Sequence, residues 1–330
     1  MTRFKRIELL LIFSLIAVSL MGQQKSLYSQ YMFNYFLINP AAAGAQGTTS
    51  INLTGREQWI GWPGTPKTHS FSAETRVLKN SYIAKALNLR KKFSKRSGSG
   101  RIGLGINVYN DFSGILSRTG MQIAYGYHIP MRQNQLSFGV AIEPYQFNID
   151  RAKLMQSGNF TNDEIVLALK PRYVIDGNFG AQYTAPLWYA GASITDLFQS
   201  NIYFGSQSSA GYQILRHYFL SGGYKIIVNR LIMVEPTGLM KFTESGAFQM
   251  DISGRAFYRD DYWAGLAYRT GADAGVLIFM AGLKYQRYYF GYSFDYTLSP
   301  IMQHTFGSHE FMLTVKFGEN ARRYRFLNRY

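Results

Sequence analysis

The sequence predicts an all-β protein, a transmembrane antiparallel up-and-down β-barrel of about 14 strands, in a range of roughly 12 to 16. Three observations predict this fold. The 330-residue chain is 16% aromatic and only 16% charged, an unusual balance for a soluble domain. After residue 22, no segment approaches the roughly 18 uninterrupted apolar residues of a membrane-spanning helix. Segments in which apolar and polar residues alternate return along the whole chain, as a closed barrel requires.

The clearest alternating segment is 287–298. Its even positions from 288 are large and apolar or aromatic, and its odd positions from 291 are Gly, Ser, Asp and Thr. Successive side chains of a strand point to opposite faces, so one face would meet lipid and the other a polar interior. The pattern predicts strands near 50–59, 67–78, 102–108, 121–129, 136–143, 173–184, 187–195, 216–228, 231–242, 247–258, 261–270, 275–286, 287–298 and 308–317.

The N-terminal residues have the pattern of a secretory signal peptide. Arg3, Lys5 and Arg6 precede an apolar stretch at 9–21, and Gly22 offers a small residue for cleavage. We therefore expect residues 1–22 to be removed on export. The alternative is a retained anchor helix.

Three further segments follow in the mature chain. Residues 23–48 are aromatic and turn-forming, and we expect them to pack under or into the barrel. Residues 49–317 are expected to form the barrel, and residues 318–330 a basic periplasmic tail.

Connection lengths predict which end of the barrel faces the periplasm. With the N-terminus periplasmic, the inner connections are 79–101, 130–134, 185–187, 229–230, 259–260 and 286–287. All but the first are tight, as bacterial barrels require, and the long connections 149–171 and 196–215 fall outside.

The formal net charge is +16, and the chain contains no cysteine. A disulfide and a cysteine-linked lipid are therefore excluded. Nucleic acid is not expected because the basic residues belong to no recognisable binding motif. Acidic lipid headgroups of the outer membrane or an acidic protein partner fit an exported barrel better.

Two basic segments are candidates for docking a partner, since both are predicted to be periplasmic. The alternative is a solvated linker and a frayed tail. The candidate docking residues are Lys85, Arg90, Lys91, Lys92, Lys95, Arg96, Arg322, Arg323 and Arg325.

Eight charged residues share the inward parity of their strands. They could line a selective pore, but a network of paired charges that fills a small lumen is the favoured interpretation, because it mixes both signs. These residues are Glu74, Arg76, Glu143, Asp251, Arg255, Arg269, Asp295 and Glu310.

No catalytic, cofactor-binding or metal-binding residue is predicted. The five histidines, at 69, 128, 217, 304 and 309, are scattered without metal-ligand spacing. Ser308, His309 and Glu310 are consecutive, so in a strand they cannot form a relay on one face. Gly103 and Gly105 are followed by no predicted helix and do not indicate a nucleotide loop.

Several motifs resemble those of the PorP/SprF family of Bacteroidota outer-membrane proteins. The resemblance begins in the segment before the first strand, with Gln30, Tyr31, Asn34, Asn39, Pro40 and Gly44. It continues at 56–61 (Arg-Glu-Gln-Trp-Ile-Gly), 66–68, 216–220, 265–269, 295–298 and 307–310. The insert at 79–100 and the tail after 317 look less typical of the family.

The resemblance implies a non-enzymatic component of the type IX secretion and gliding system. The implied partners are the periplasmic ring or lipoprotein subunits of that system, or an exported surface adhesin, with no small-molecule substrate. The alternative is a passive outer-membrane porin or a hydrophobic-solute transporter, because the fold permits either role.

Overall fold

The computed structural model describes residues 28–77, 100–157, 170–203, 211–271 and 275–317. The predicted signal peptide, the basic segment at 85–96 and the tail after 317 lie outside these residues. Among the residues described, no helix is long and apolar enough to cross a bilayer.

Fourteen antiparallel strands close into one barrel, which confirms the predicted fold and strand count. Each strand pairs with its neighbours in the chain, and the first pairs with the last along Thr49–Glu57. The strands are β1 Thr49–Glu57, β2 Lys67–Val77, β3 Ile102–Ser113, β4 Leu116–Met131, β5 Asn134–Ile149, β6 Arg172–Thr184, β7 Trp188–Thr195, β8 His217–Tyr224 continued by Ile226–Ile227, β9 Ile232–Thr243, β10 Phe248–Tyr258, β11 Tyr262–Arg269, β12 Val276–Tyr285, β13 Tyr288–Thr297 and β14 Ser308–Phe317.

The two ends of the barrel differ in their connections. At the end that we call the turn end, β4 and β5 are joined by two residues, and so are β12 and β13. The opposite loop end carries the long connections 150–171 and 196–216, with the short helix Arg151–Ser157 and a hairpin of Asn201–Tyr203 and Gly211–Gln213. Short periplasmic turns and long outer loops are the usual asymmetry of bacterial barrels, so we expect the turn end to be the periplasmic end.

Burial along the strands is the reverse of that in a soluble protein. In β13, Gly291, Ser293 and Asp295 are buried, whereas Tyr288 and Tyr292 are exposed. The apolar face is thus the outer one, as expected for a wall that contacts lipid.

Several strands depart from the expectation that inward residues are polar. Phe219 of β8, Leu239 of β9, Trp263 of β11, and Ile278 and Met280 of β12 are buried on the inner face. They pack against apolar residues of the N-terminal segment. Alternation along a strand predicts which residues face inward but not what those residues contact.

Residues 28–48 form that segment, which we call the plug. It contains three single-turn 3-10 helices, Tyr31–Phe33, Tyr35–Leu37 and Pro40–Ala42. Asn39 caps the last of them, because its Oδ1 accepts a hydrogen bond from the N–H of Ala41 at 3.0 Å and Pro40 occupies the first position, where the missing N–H does no harm.

Candidate functional site

The plug lies inside the barrel. Its side chains and main chain bond to Ser72 of β2, the carbonyl of Ala181 in β6, Ser221 of β8 and Glu310 of β14. These strands stand on different sides of the closed sheet, so a single short segment reaches all of them only from the lumen. The plug begins beside the loop-end residues Asp295 and Glu310, which Ser29 contacts, and ends at the turn end, where β1 begins.

A charged cluster holds the plug near the loop end, and we call it the loop-end anchor: Ser29, Gln30, Arg56, Asp295 and Glu310. Glu310 accepts the main-chain N–H groups of Ser29 and Gln30 at 2.7 and 2.9 Å. Arg56 bonds Asp295 at 2.7 Å and donates to Ser29 Oγ at 2.6 Å. Ser29 Oγ in turn donates to Asp295 at 2.7 Å.

The loop-end anchor is fully desolvated. Glu310 is 0% exposed, Asp295 1% and Arg56 4%. Two carboxylates face one guanidinium, and a buried charge requires compensation by hydrogen bonds as well as by an opposite charge. The two N–H groups of the plug supply part of that compensation. The plug therefore lowers the free-energy cost of burying the carboxylate of Glu310.

The middle of the plug is held by apolar packing and by amide and hydroxyl groups. Tyr31, Met32 and Ile38 pack with the inward apolar residues of β9, β11 and β12. Asn34 donates to Ser72 Oγ at 2.7 Å, and Ser193 donates to the carbonyl of Ile38 at 2.8 Å.

Near the turn end, the plug main chain passes directly over inward-facing glycines. A Cβ atom at Gly103 would lie 1.9 Å from the carbonyl oxygen of Ala43, and one at Gly139 would lie 2.2 Å from the N atom of Ala41. Such distances exclude any side chain. The glycines of β3 and β5 therefore form the bed on which the plug rests.

Polar groups of the wall complete this turn-end anchor. Glu74 accepts the N–H of Gly44 at 2.8 Å, and His128 Nε2 lies 2.9 Å from the carbonyl oxygen of Ala43. Gly44 has φ +65°, and its missing Cβ would meet the carbonyl oxygen of Thr75 at 2.6 Å. Only glycine fits this position on both counts.

The eight predicted lumen residues all lie on the inner face, where they form ion pairs and hydrogen bonds. Glu74 belongs to the turn-end anchor, and Asp295 and Glu310 to the loop-end anchor. The contacts of the other five include Arg76 to Gln135 at 2.9 Å, Arg118 to Glu143 at 3.0 Å, Arg255 to Glu235 at 2.9 Å and Arg269 to Asp251 at 2.8 Å.

Sequence reasoning missed several residues of this site. Arg56 has the inward parity of β1 and could have been found from it. Ser29 and the bed glycines could not, because their partners lie up to 281 residues away in the chain. The six motif residues Gln30, Tyr31, Asn34, Asn39, Pro40 and Gly44 are all in the plug.

The predicted docking residues at 85–96 and 322–325 lie outside the described residues. Within the described ranges, no group of three His, Cys, Asp or Glu residues could hold a metal ion. Glu310 points into the lumen, whereas His309 lies within 2.7 Å of the hydroxyl of Tyr292 on the outer face. The three residues 308–310 are therefore not arranged as a relay.

The family model for the type IX secretion system membrane protein PorP/SprF matches residues 20–315. The chain belongs to the PorP/SprF family. Its membership, with the barrel, identifies it as an outer-membrane component of the type IX secretion system, as the resemblance predicted. No curated protein matches this PorP/SprF chain.

The chain is similar to several solved outer-membrane barrels at very low identity. Omp33 of Acinetobacter baumannii is 9% identical, with 82% of this chain and 99% of that chain covered and a TM-score of 0.43. The toluene transporter TodX of Pseudomonas putida is 9% identical, with coverage of 89% and 94% and a TM-score of 0.41. The COG4313 outer membrane channel of Pseudomonas putida F1 is 9% identical, with coverage of 82% and 96% and a TM-score of 0.40.

Proposed function

We propose that this PorP/SprF protein is a non-catalytic docking barrel of the type IX secretion system. It would anchor periplasmic ring or lipoprotein subunits, or an exported adhesin, at the outer membrane. The observation that carries the proposal is the plug, which occupies the lumen and is held at both ends.

A filled lumen favours a docking role over passage of solutes. The plug satisfies the inward charges of β1, β13 and β14 and covers the apolar inner residues of β9, β11 and β12. Moving the plug out to open a wide solute path would leave Glu310 and Asp295 without their N–H and hydroxyl partners. The two ends of the barrel are then the surfaces available to partners.

The periplasmic face is the expected docking surface, because the basic segment 85–96 interrupts a turn end that is otherwise made of short connections. Basic side chains steer and hold an acidic partner. To test this, Lys91, Lys92, Lys95 and Arg96 are changed to Gln, and the tagged barrel is purified from the native membrane in mild detergent.

We expect the barrel to assemble normally and to lose its type IX secretion partners. A matched variant replaces four exposed basic residues of the loop end, Arg151, Lys153, Lys170 and Arg172, by Gln, and it should retain them. Equal recovery of partners with both variants would contradict docking through the basic segment.

The alternative function, a porin or hydrophobic-solute transporter, is tested by conductance and uptake. The wild-type barrel in planar bilayers should show no steady single-channel conductance. An open channel would overturn the docking proposal in favour of the alternative.

A further inference from the structure

The outer wall of the barrel has an apolar groove of ≈ 1070 Å³ on its lipid-facing side. It crosses the seam where β1 meets β14, directly outside the strands that carry the loop-end anchor. Six of its lining residues are aligned partners on consecutive strands: Val108, Phe71, Leu53, Leu313, Phe290 and Leu283.

The groove is concave where a barrel wall is normally convex. Two of its lining positions, Gly55 and Ala281, carry almost no side chain. A Cβ atom at Gly55 would meet only His69 Nδ1, at 3.5 Å, so the wall there has room for larger residues. Most of the outward-facing lining is apolar, so the occupant of the groove in the membrane is hydrocarbon rather than water.

Exposed cations stand where the groove approaches the turn end. Arg287 is exposed in the turn between β12 and β13, three residues from Phe290 of the lining, a separation of about 10 Å along a strand. Arg259 occupies the neighbouring turn between β10 and β11, three residues from Tyr262 of the lining. Their guanidinium groups lie 5.5 Å from the ring of Phe317 and 5.4 Å from the ring of Tyr258, which places them at the level of an aromatic girdle.

We propose that this groove is a binding site for one anionic phospholipid of the periplasmic leaflet. Its acyl chains lie in the groove across the β1–β14 seam, and its phosphate contacts Arg287. Apolar chains and an anionic head match the two parts of the site, the apolar lining and the guanidinium group of Arg287. Arg259 stands over Tyr258 of β10, four strands from Phe317 of β14, and is too far away to share that phosphate. The site goes beyond the proposed docking function and does not depend on it.

The test is native mass spectrometry of the full-length barrel in mild detergent, with added dipalmitoyl phosphatidylglycerol as the probe. We expect one phospholipid to remain bound to the wild type. Ala281→Trp fills the groove and should lower the bound fraction about tenfold, the effect of excluding about two methylene groups. Arg287→Glu should lower it by a similar factor, since it reverses a charge at the headgroup level.

Matched controls separate this site from the general lipid belt. Val140→Trp places a tryptophan on the outer face of β5, away from the groove, and Arg132→Glu reverses an exposed charge in another turn of the same end; both should bind as the wild type does. Dipalmitoylglycerol has the same chains without the phosphate and should not be retained. Equal binding by the groove variants and their controls, or equal retention of dipalmitoylglycerol, would overturn the proposal.

Discussion

Different kinds of interaction hold the plug at its two ends. At the loop end, Arg56, Asp295 and Glu310 are buried, and the two carboxylates accept hydrogen bonds from plug donors at 2.7–2.9 Å. At the turn end, the plug main chain lies on Gly103 and Gly139 with no room for a Cβ atom. The first end depends on charge and the second on shape, so each should fail under a different kind of substitution.

The largest effect is expected from Arg56→Leu, which leaves Asp295 and Glu310 buried without their cation. Removing one partner of a buried ion pair costs about 3–5 kcal/mol. Urea titration of the barrel refolded in detergent micelles measures the free energy of unfolding. Arg56→Lys keeps the charge and should lose less, so an equal loss in both variants would show that the charge is not what matters.

A smaller effect is expected from Gly139→Val, which places a side chain where the main chain of Pro40 and Ala41 lies. Overpacking of this kind costs about 1–3 kcal/mol, and here the plug can relieve it by moving off its bed. We expect the variant to gain conductance in planar bilayers. Gly254→Val is the control, because a Cβ atom there would meet no atom within 4 Å; the same conductance in both variants would contradict the steric explanation.

Between the two ends, Asn34→Ala removes the hydrogen bond of 2.7 Å to Ser72. We expect a loss of about 1 kcal/mol in the free energy of unfolding, the net value of one neutral hydrogen bond. The double variant with Ser72→Ala should lose little more than Asn34→Ala alone, because both substitutions remove the same contact. Fully additive losses would show that the two residues act separately.

The sequence predicts the wall of this molecule much better than its interior. Strand alternation gave 14 strands and the inward parity of residues such as Asp295 and Glu310, because period two is a local property of the chain. The plug contacts could not be predicted from the sequence. Ser29 and Glu310 are 281 residues apart, and no local pattern predicts that they meet. The apolar inner residues Leu239 and Met280 also escaped prediction, because they face the plug rather than water.

The smallest effect is expected next to the loop-end anchor, one residue further along β1. Glu57 faces outward and bonds Lys67 at 3.1 Å, but the two side chains are 39% and 47% exposed. Water and salt screen such a pair, so Lys67→Ala should change the free energy of unfolding by less than about 1 kcal/mol. Urea titrations at low and high salt measure the loss in the free energy of unfolding, which can be compared with the loss in Arg56→Leu. A loss at Lys67 as large as that at Arg56 would mean that burial is not what makes the loop-end anchor strong.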